Sequence, residues 1–154
     1  MYERPYPEDF DCCWLASDRV GHLGAFMTAG RGPAPAAVLI ESYPLDEIEN
    51  SILALPKATD IELLVQRHSP ANSFVALAER GIFVYYWSDV HRTLRESFDE
   101  YELMVRPFRP LTLDQLPDNL LDAARSVRFS KVAFADAWRV NARAHMMCRE
   151  PHHE

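Results

Sequence analysis

The sequence predicts a single α+β domain, in which helices pack on one face of a mixed or antiparallel sheet of about five or six strands. Its 154 residues correspond to one ordinary domain. Apolar residues make up 48% of the chain and charged residues 25%, a composition typical of a globular protein with a packed core. Segments with strand and helix periodicity follow one another without a strict βαβ alternation, and this mixture favours the α+β class.

The first 28 residues predict an arm followed by a β-hairpin. Residues 1–10 contain three aromatic residues and two prolines without any period, so we expect an extended arm. Its anchors on the domain would be Tyr2, Tyr6 and Phe10. In residues 12–28, two apolar runs flank a polar turn that ends at Gly21, which predicts a hairpin because glycine adopts positive φ easily. Trp14 and Phe26 are its candidate core residues.

The next segment predicts a loop, a helix and a short strand. Two glycines and two prolines in residues 29–35 exclude a regular element, and residues 36–43 fit either a short helix or a strand. A helix begins at Pro44, since proline suits the first helical position, and ends before Pro56. Its apolar stripe consists of Leu45, Ile48, Ile52 and Leu55. Residues 60–66 alternate imperfectly and favour a strand.

The strongest helix signal is Ser69 followed by Pro70, an N-cap residue and a proline at the first helical position. The apolar face of this helix would be Phe74, Leu77 and Ala78, and Gly81 would end it. Residues 82–87 are six strand formers in succession, which predicts a central strand covered on both faces. Within that strand, Phe83 and Tyr85 should face the core. Residues 89–99 form a polar connection.

The C-terminal third predicts a half-exposed strand and one more helix. Apolar Tyr101, Leu103 and Val105 alternate with Glu102, Met104 and Arg106. Thr112 and Gln115 fit a capping box, and Pro117 opens a helix. Its inward residues would be Leu120, Leu121 and Ala124. Residues 127–129 and 132–134 predict one broken strand or two short strands, and residues 149–154 predict a frayed tail.

Charge and cysteine content indicate which cellular compartment and which classes of binding partner we expect. The formal net charge of −7 repels phosphate backbones, so nucleic acid is not an expected partner, whereas a basic protein would be attracted. There is no apolar run of about 18 residues and no secretory signal pattern, so we expect a cytoplasmic protein that does not associate with a membrane. An odd number of cysteines (Cys12, Cys13 and Cys148) fits a reducing compartment.

Three stretches carry a resemblance to other proteins. The first is residues 11–35, which begin Asp-Cys-Cys-Trp-Leu-Ala-Ser-Asp-Arg-Val-Gly-His, the second is residues 77–87 (Leu-Ala-Glu-Arg-Gly-Ile-Phe-Val-Tyr-Tyr-Trp), and the third is residues 101–117. They resemble stretches of small uncharacterised bacterial cytosolic proteins. The similarity extends over about two thirds of the chain and implies a fold but no activity. In size and acidity the chain is also similar to the immunity proteins that neutralise bacterial toxins. Fourteen of its sixteen basic residues are arginine, a bias that follows from GC-rich codons and favours a bacterial source.

Three features are candidate binding sites. Asp114, Asp118 and Asp122 are spaced by four residues, which predicts an acidic helix face suited to a basic partner. Arg31, flanked by Gly30 and Gly32, could hold an anion with its guanidinium and the neighbouring backbone N–H groups. Tyr86 and Trp87 would anchor an interface if exposed, and would fill the core if their strand is central.

Two further groups support an alternative, enzymatic function. Asp89 could orient His91 as a general base, although no motif ties a nucleophile to them. On one helix face, His145 and Cys148 could share a zinc ion, with His152 or His153 as a further ligand. Because this spacing matches no standard zinc module, we expect no metal and no cofactor. The sequence therefore predicts a non-enzymatic, toxin-neutralising binding protein, with a small hydrolase or metal-dependent enzyme as the alternative.

Overall fold

A seven-stranded mixed sheet lies at the centre of the protein and confirms the α+β class. The computed structural model describes residues 2–64 and 72–151. In these ranges the strands are β1 (Cys13–Asp18), β2 (Leu23–Met27), β3 (Ala34–Pro35), β4 (Ile61–Leu63), β5 (Phe83–Tyr86), β6 (Tyr101–Pro107), β7 (Arg128–Phe129), β8 (Arg139–Val140) and β9 (Cys148–Arg149). The helices there are α1 (Ile48–Leu53), α2 (Asn72–Ala78), α3 (Asp118–Ser126) and α4 (Ala142–His145).

The sheet has the order β4-β6-β5-β2-β1-β7, and β8 also pairs with β6. The β1–β2 hairpin forms as predicted, and Gly21 in its turn has a φ of 98°. Strands β2 and β5 run parallel, as do β1 and β7, whereas the other pairs are antiparallel. The predicted central strand is confirmed, because β5 lies between β2 and β6. Strands β3 and β9 form a separate two-stranded sheet.

Helices α1, α2 and α3 cover one face of the sheet. Helices α1 and α3 pack against β1 and against each other, and α2 packs against β5 and β6. The Ser17 hydroxyl of β1 donates to the Ala124 carbonyl of α3, 2.9 Å away. Of the predicted apolar residues, Leu45, Ile48, Ile52, Phe74, Leu77 and Ala78 are buried, whereas Leu55 is half-buried. The helix predicted over residues 44–55 is shorter than expected, because Leu45 lies in a 3₁₀ turn (Leu45–Glu47) and α1 ends at Leu53. The helical period therefore identified the faces of α1 and α2 that pack on the sheet.

The opposite face of the sheet carries a layer of aromatic side chains. Trp14, Phe26 and Tyr85 are register partners on three adjacent strands. Their rings stack, with centroids 4.2 Å apart between Trp14 and Phe26 and 4.8 Å apart between Phe26 and Tyr85. Phe129 and Phe134 from the C-terminal third contact Phe26 across this layer. Both faces of the sheet are therefore covered, and this explains why Met104 is buried where the alternation predicted a half-exposed strand.

Asp18 joins the hairpin turn to the C-terminal third. Its carboxylate is fully buried, and one oxygen accepts hydrogen bonds from the backbone N–H groups of Val20, Gly21 and His22. The other oxygen accepts from Phe134 N at 2.7 Å. This bond helps to explain why residues 132–134 are not a strand, in contrast to the prediction. Instead, a 3₁₀ turn begins at Phe134.

Two predictions about the last helices need correction. The capping box of Thr112 and Gln115 forms, but it belongs to a 3₁₀ turn (Leu113–Gln115) that ends before α3 begins. On α3 the buried residues are Leu120, Ala123 and Ala124, whereas Leu121 is half-buried.

The N-cap predicted at Ser69 and Pro70 lies outside the described residues.

Both chain ends differ from the prediction. Tyr2 and Phe10 are 65% and 71% exposed, so of the three aromatic anchors only Tyr6 holds the arm, through a 2.5 Å hydrogen bond to the Gly32 carbonyl. In the segment expected to fray, residues 149–151 pack on the domain and Pro151 is buried, and residues 152–154 lie outside the described residues. Arg149 forms an ion pair with Glu3 at 3.1 Å, and β9 pairs with β3. The two ends hold each other by these contacts, which no local pattern encodes.

Candidate functional site

A groove of about 420 Å³ separates α3 from the segment that precedes α1. Ile40, Tyr43 and Pro44 form its apolar wall, and α3 contributes Asp122 and Asn119. The Asn119 side chain donates a hydrogen bond to the Ser51 hydroxyl, 3.4 Å away, which links α3 to α1. Among the described residues, no arginine, lysine or histidine lines this groove. Its polar lining therefore consists of carboxylate, amide and hydroxyl groups, which suits a cationic or donor-rich ligand.

The two segments beside the groove carry all of the net charge. Residues 32–56 and 110–124 contain no arginine, lysine or histidine. Their acidic residues, which together we call the acidic surface, are Glu41, Asp46, Glu47, Glu49, Asp114, Asp118 and Asp122. These are seven of the 23 acidic residues, so the rest of the chain has sixteen acidic and sixteen basic residues and is formally neutral.

The acidic surface is accessible and weakly paired. All of its carboxylates are exposed except Glu49, which is half-buried. Arg4 of the arm lies 3.5 Å from Asp46, whose side chain is nevertheless 85% exposed. Exposed carboxylates make the local electrostatic potential negative, and a negative potential attracts a positively charged partner over several ångströms.

The predicted aspartate helix face is correct for two of its three residues. Asp118 and Asp122 are exposed one turn apart on α3. Asp114 lies in the preceding 3₁₀ turn, where its carboxylate accepts a hydrogen bond from the Thr112 hydroxyl. The sequence analysis missed the acidic residues before and within α1. Counting charges segment by segment would have found the two base-free stretches, but only the fold brings them together.

The loop around Arg31 uses its backbone N–H groups internally. Ala29 N donates to the Asp11 carboxylate at 2.9 Å, and Gly30 N donates to the Thr28 hydroxyl. The N–H groups of Arg31 and its successor both donate to the Thr28 carbonyl. Only the exposed Arg31 guanidinium is left to bind an anion, so the predicted backbone cradle is absent from this loop.

The aromatic pair at the end of β5 is mostly internal. Trp87 is buried, packs edge-on against Tyr101 and lies beneath the Arg143 guanidinium. Tyr86 is half-buried, and its ring contacts Phe74 and His91. Trp87 therefore fills the core and is not an exposed interface anchor.

Asp89 and His91 lie in a 3₁₀ turn after β5 (Ser88–His91). The Asp89 carboxylate accepts hydrogen bonds from the backbone N–H groups of Phe98 and Asp99, at 2.8 and 2.7 Å. These bonds close the 89–99 connection, so this carboxylate has a structural role. His91 Nε2 lies 3.1 Å from the Tyr86 hydroxyl, whose pKa burial raises. A hydroxyl with a raised pKa is a weak proton donor to a base at neutral pH.

The C-terminal zinc candidates lie on separate elements. Helix α4 ends at His145, and Cys148 belongs to β9, so the two do not share a helix face. His145 packs edge-on against Phe129, and His152 lies outside the described residues. Within the described ranges, no group of three or more histidine, cysteine, aspartate or glutamate side chains could hold a metal ion.

We expect purified protein to contain far less than one zinc ion per chain after dialysis. Burial raises the pKa of the Cys148 thiol to about 11, which disfavours the thiolate that zinc requires. Elemental analysis by mass spectrometry is the measurement. One zinc ion per chain, lost in His145→Ala, would contradict the prediction.

No protein-family model, curated protein or solved structure matches the chain. Among the residues that the structure describes, no helix has the length and apolar character to cross a membrane. The chemistry of the exposed grooves is therefore the basis for a functional proposal.

Proposed function

We propose that the protein is a non-enzymatic binding protein of the bacterial cytosol that holds a basic partner protein on its acidic surface and thereby neutralises a toxin. The observation that carries this proposal is the separation of charge. Two neighbouring segments hold the entire formal charge of −7, and the remainder of the chain is neutral.

The charge separation supports steering of a cationic partner. A diffuse charge of −7 would act mainly on solubility, whereas a charge gathered on one surface orients a partner before contact. The neutral remainder adds no opposing long-range field. A basic partner would therefore approach the acidic surface first.

The groove supports the contact itself. Asp122 and the amide oxygen of Asn119 offer acceptors to an arginine or lysine head group, because the Asn119 bond to Ser51 uses the amide nitrogen. Ile40, Tyr43 and Pro44 offer apolar contact to the aliphatic stem of the same side chain. A volume of about 420 Å³ lies within the range of small-ligand pockets, so one or two side chains of the partner could enter.

The experiment begins with the partner, captured from a bacterial lysate at low salt, identified by mass spectrometry and produced separately. Stopped-flow association rates are then measured across a salt series. We expect the rate to fall steeply with salt, because the Debye length shrinks from about 10 Å at 0.1 M to about 3 Å at 1 M. The double variant Asp118→Lys/Asp122→Lys should associate about tenfold more slowly at low salt.

The control variant is Glu8→Lys/Glu96→Lys, which changes the net charge equally at exposed positions outside the acidic surface. It should associate at nearly the wild-type rate. Equal slowing in both double variants, or a rate indifferent to salt, would remove the acidic surface from the mechanism. For a toxin, co-expression of wild-type protein should restore growth, and co-expression of the Asp118→Lys/Asp122→Lys protein should restore less.

A further inference from the structure

A second groove, with opposite chemistry, lies beside β8 and has a volume of about 590 Å³. We call it the Trp138 groove, after the tryptophan in its wall whose side chain is 64% exposed. The other two tryptophans of the chain, Trp14 and Trp87, are buried. An exposed tryptophan in an open, shallow groove of this kind is suited to anchor a partner, because its large ring adds contact area at little conformational cost.

Hydrogen-bond donors dominate the lining of the Trp138 groove. Arg19, Lys131, Arg139 and His145 line it, together with Asn141. The Asn141 side-chain oxygen accepts from Ala144 N, which leaves its amide N–H groups free to face a ligand. Within residues 2–64 and 72–151, the Arg19 and Lys131 side chains form no ion pair. The groove thus offers two unpaired cations beside an aromatic surface.

Two acidic residues, Glu100 and Asp136, also line the Trp138 groove. Glu100 lies 3.8 Å from Arg139, so its charge is already balanced. Apart from this pair, the charged side chains of the groove are one carboxylate, Asp136, and two cations, Arg19 and Lys131, with His145 beside them. This balance attracts a ligand with a few separated carboxylates. A continuous polyphosphate carries more charge than these two cations can pair, so it fits this groove less well.

Hydrogen bonds from the central sheet hold the backbone around the Trp138 groove. The Trp138 carbonyl accepts from Leu103 N of β6 at 2.8 Å, and the Ala137 carbonyl accepts from the Tyr85 hydroxyl at 2.7 Å. On the opposite wall, the Val132 carbonyl accepts from Arg19 N at 2.8 Å. A site tied to central strands in this way needs little ordering when a ligand binds.

We propose that the Trp138 groove binds an acidic peptide segment of a partner protein. Carboxylates of the segment would pair with Arg19 and Lys131, and an apolar or aromatic side chain would pack on the Trp138 ring. This site is independent of the acidic surface, and it would let the protein contact a basic partner and an acidic segment at the same time.

The test uses a synthetic ten-residue peptide that alternates glutamate with leucine and phenylalanine. Titration into ¹⁵N-labelled protein at low salt is followed through the three indole N–H signals. We expect the Trp138 signal to shift with peptide concentration while the signals of buried Trp14 and Trp87 stay in place. The signals are assigned with Trp138→Phe, an exposed substitution that should leave the fold intact.

Charge reversal identifies the cations. The variant Arg19→Glu/Lys131→Glu should bind the peptide about tenfold more weakly, because two exposed ion pairs are replaced by repulsion. The matched control Arg95→Glu/Arg109→Glu makes the same charge change at exposed positions outside the groove and should bind normally.

Three results would overturn the proposal. One is the absence of a Trp138 shift at millimolar peptide. Another is equal weakening in the two double variants. The third is a Trp138 shift with a single-stranded thymidine oligonucleotide but not with the peptide, since the site would then belong to nucleic acid. A glutamine-substituted peptide should bind more weakly than its glutamate parent.

Discussion

Replacing Phe26 by alanine should destabilise the protein by about 3–5 kcal/mol, a large share of the stability of an ordinary domain. Phe26 is fully buried between the Trp14 and Tyr85 rings, and it also contacts Tyr101, Phe129 and Phe134. Its loss leaves a cavity at the centre of the aromatic layer that rigid neighbouring rings cannot fill. Urea unfolding, followed by far-ultraviolet circular dichroism, measures the change.

The matched control for this substitution is Phe10→Ala, because Phe10 is 71% exposed. Its free energy of unfolding should stay within about 0.5 kcal/mol of the wild-type value. If Phe26→Ala does not fold, Phe26→Leu provides a milder step that retains most of the volume. A Phe26→Leu protein as stable as wild type, or Phe10→Ala as damaging as Phe26→Ala, would refute the assignment of the aromatic layer as the core.

The substitution Asp18→Asn should lower the free energy of unfolding by about 3 kcal/mol although it changes only one atom and one charge. The Asp18 carboxylate is fully buried and accepts hydrogen bonds from four backbone N–H groups. An amide has a single acceptor oxygen, so its NH₂ group must face either the three N–H groups of the turn or Phe134 N. Two donors that face each other in the interior leave at least one buried group unsatisfied.

Asp118→Asn serves as the control for Asp18→Asn, since Asp118 is exposed on α3. Its unfolding midpoint in urea should match that of the wild type. Hydrogen exchange adds a local test, because the amide proton of Phe134 should lose protection in Asp18→Asn more than amide protons of β5 do. Unchanged stability and unchanged Phe134 protection would show that Asp18 does not join the turn to the C-terminal third.

Local chemistry explains which elements were predictable. The hairpin needs only alternating apolar residues and a glycine turn, and α2 needs only Phe74, Leu77 and Ala78 at helical spacing. Both signals lie within one continuous stretch of sequence, residues 13–27 for the hairpin and Asn72–Ala78 for α2, where the backbone period shows directly. By contrast, β7, β8 and β9 are two residues long, which is too short for any period to appear.

In the two candidate sites, too, only the features that depend on neighbouring residues could be predicted from the sequence. Asp118 and Asp122 are one helical turn apart, so their common face could be predicted. Their proximity to the segment before α1 could not, because it depends on how α1 and α3 pack on β1. The Trp138 groove joins Arg19 of the hairpin to residues more than a hundred positions later. Such a site exists only after the strands are ordered.

The sequence by itself therefore determined the fold class, the hairpin, the central strand, the buried faces of α1 and α2, and the excess of acidic residues. Tertiary structure decided the strand order, the burial of Asp18 against Phe134 and the meeting of the two base-free segments at the groove. The physical reason is the range of the interactions. Periodicity and capping act between neighbours in the chain, whereas ring stacking, burial of a carboxylate and convergence of charge require distant segments to meet.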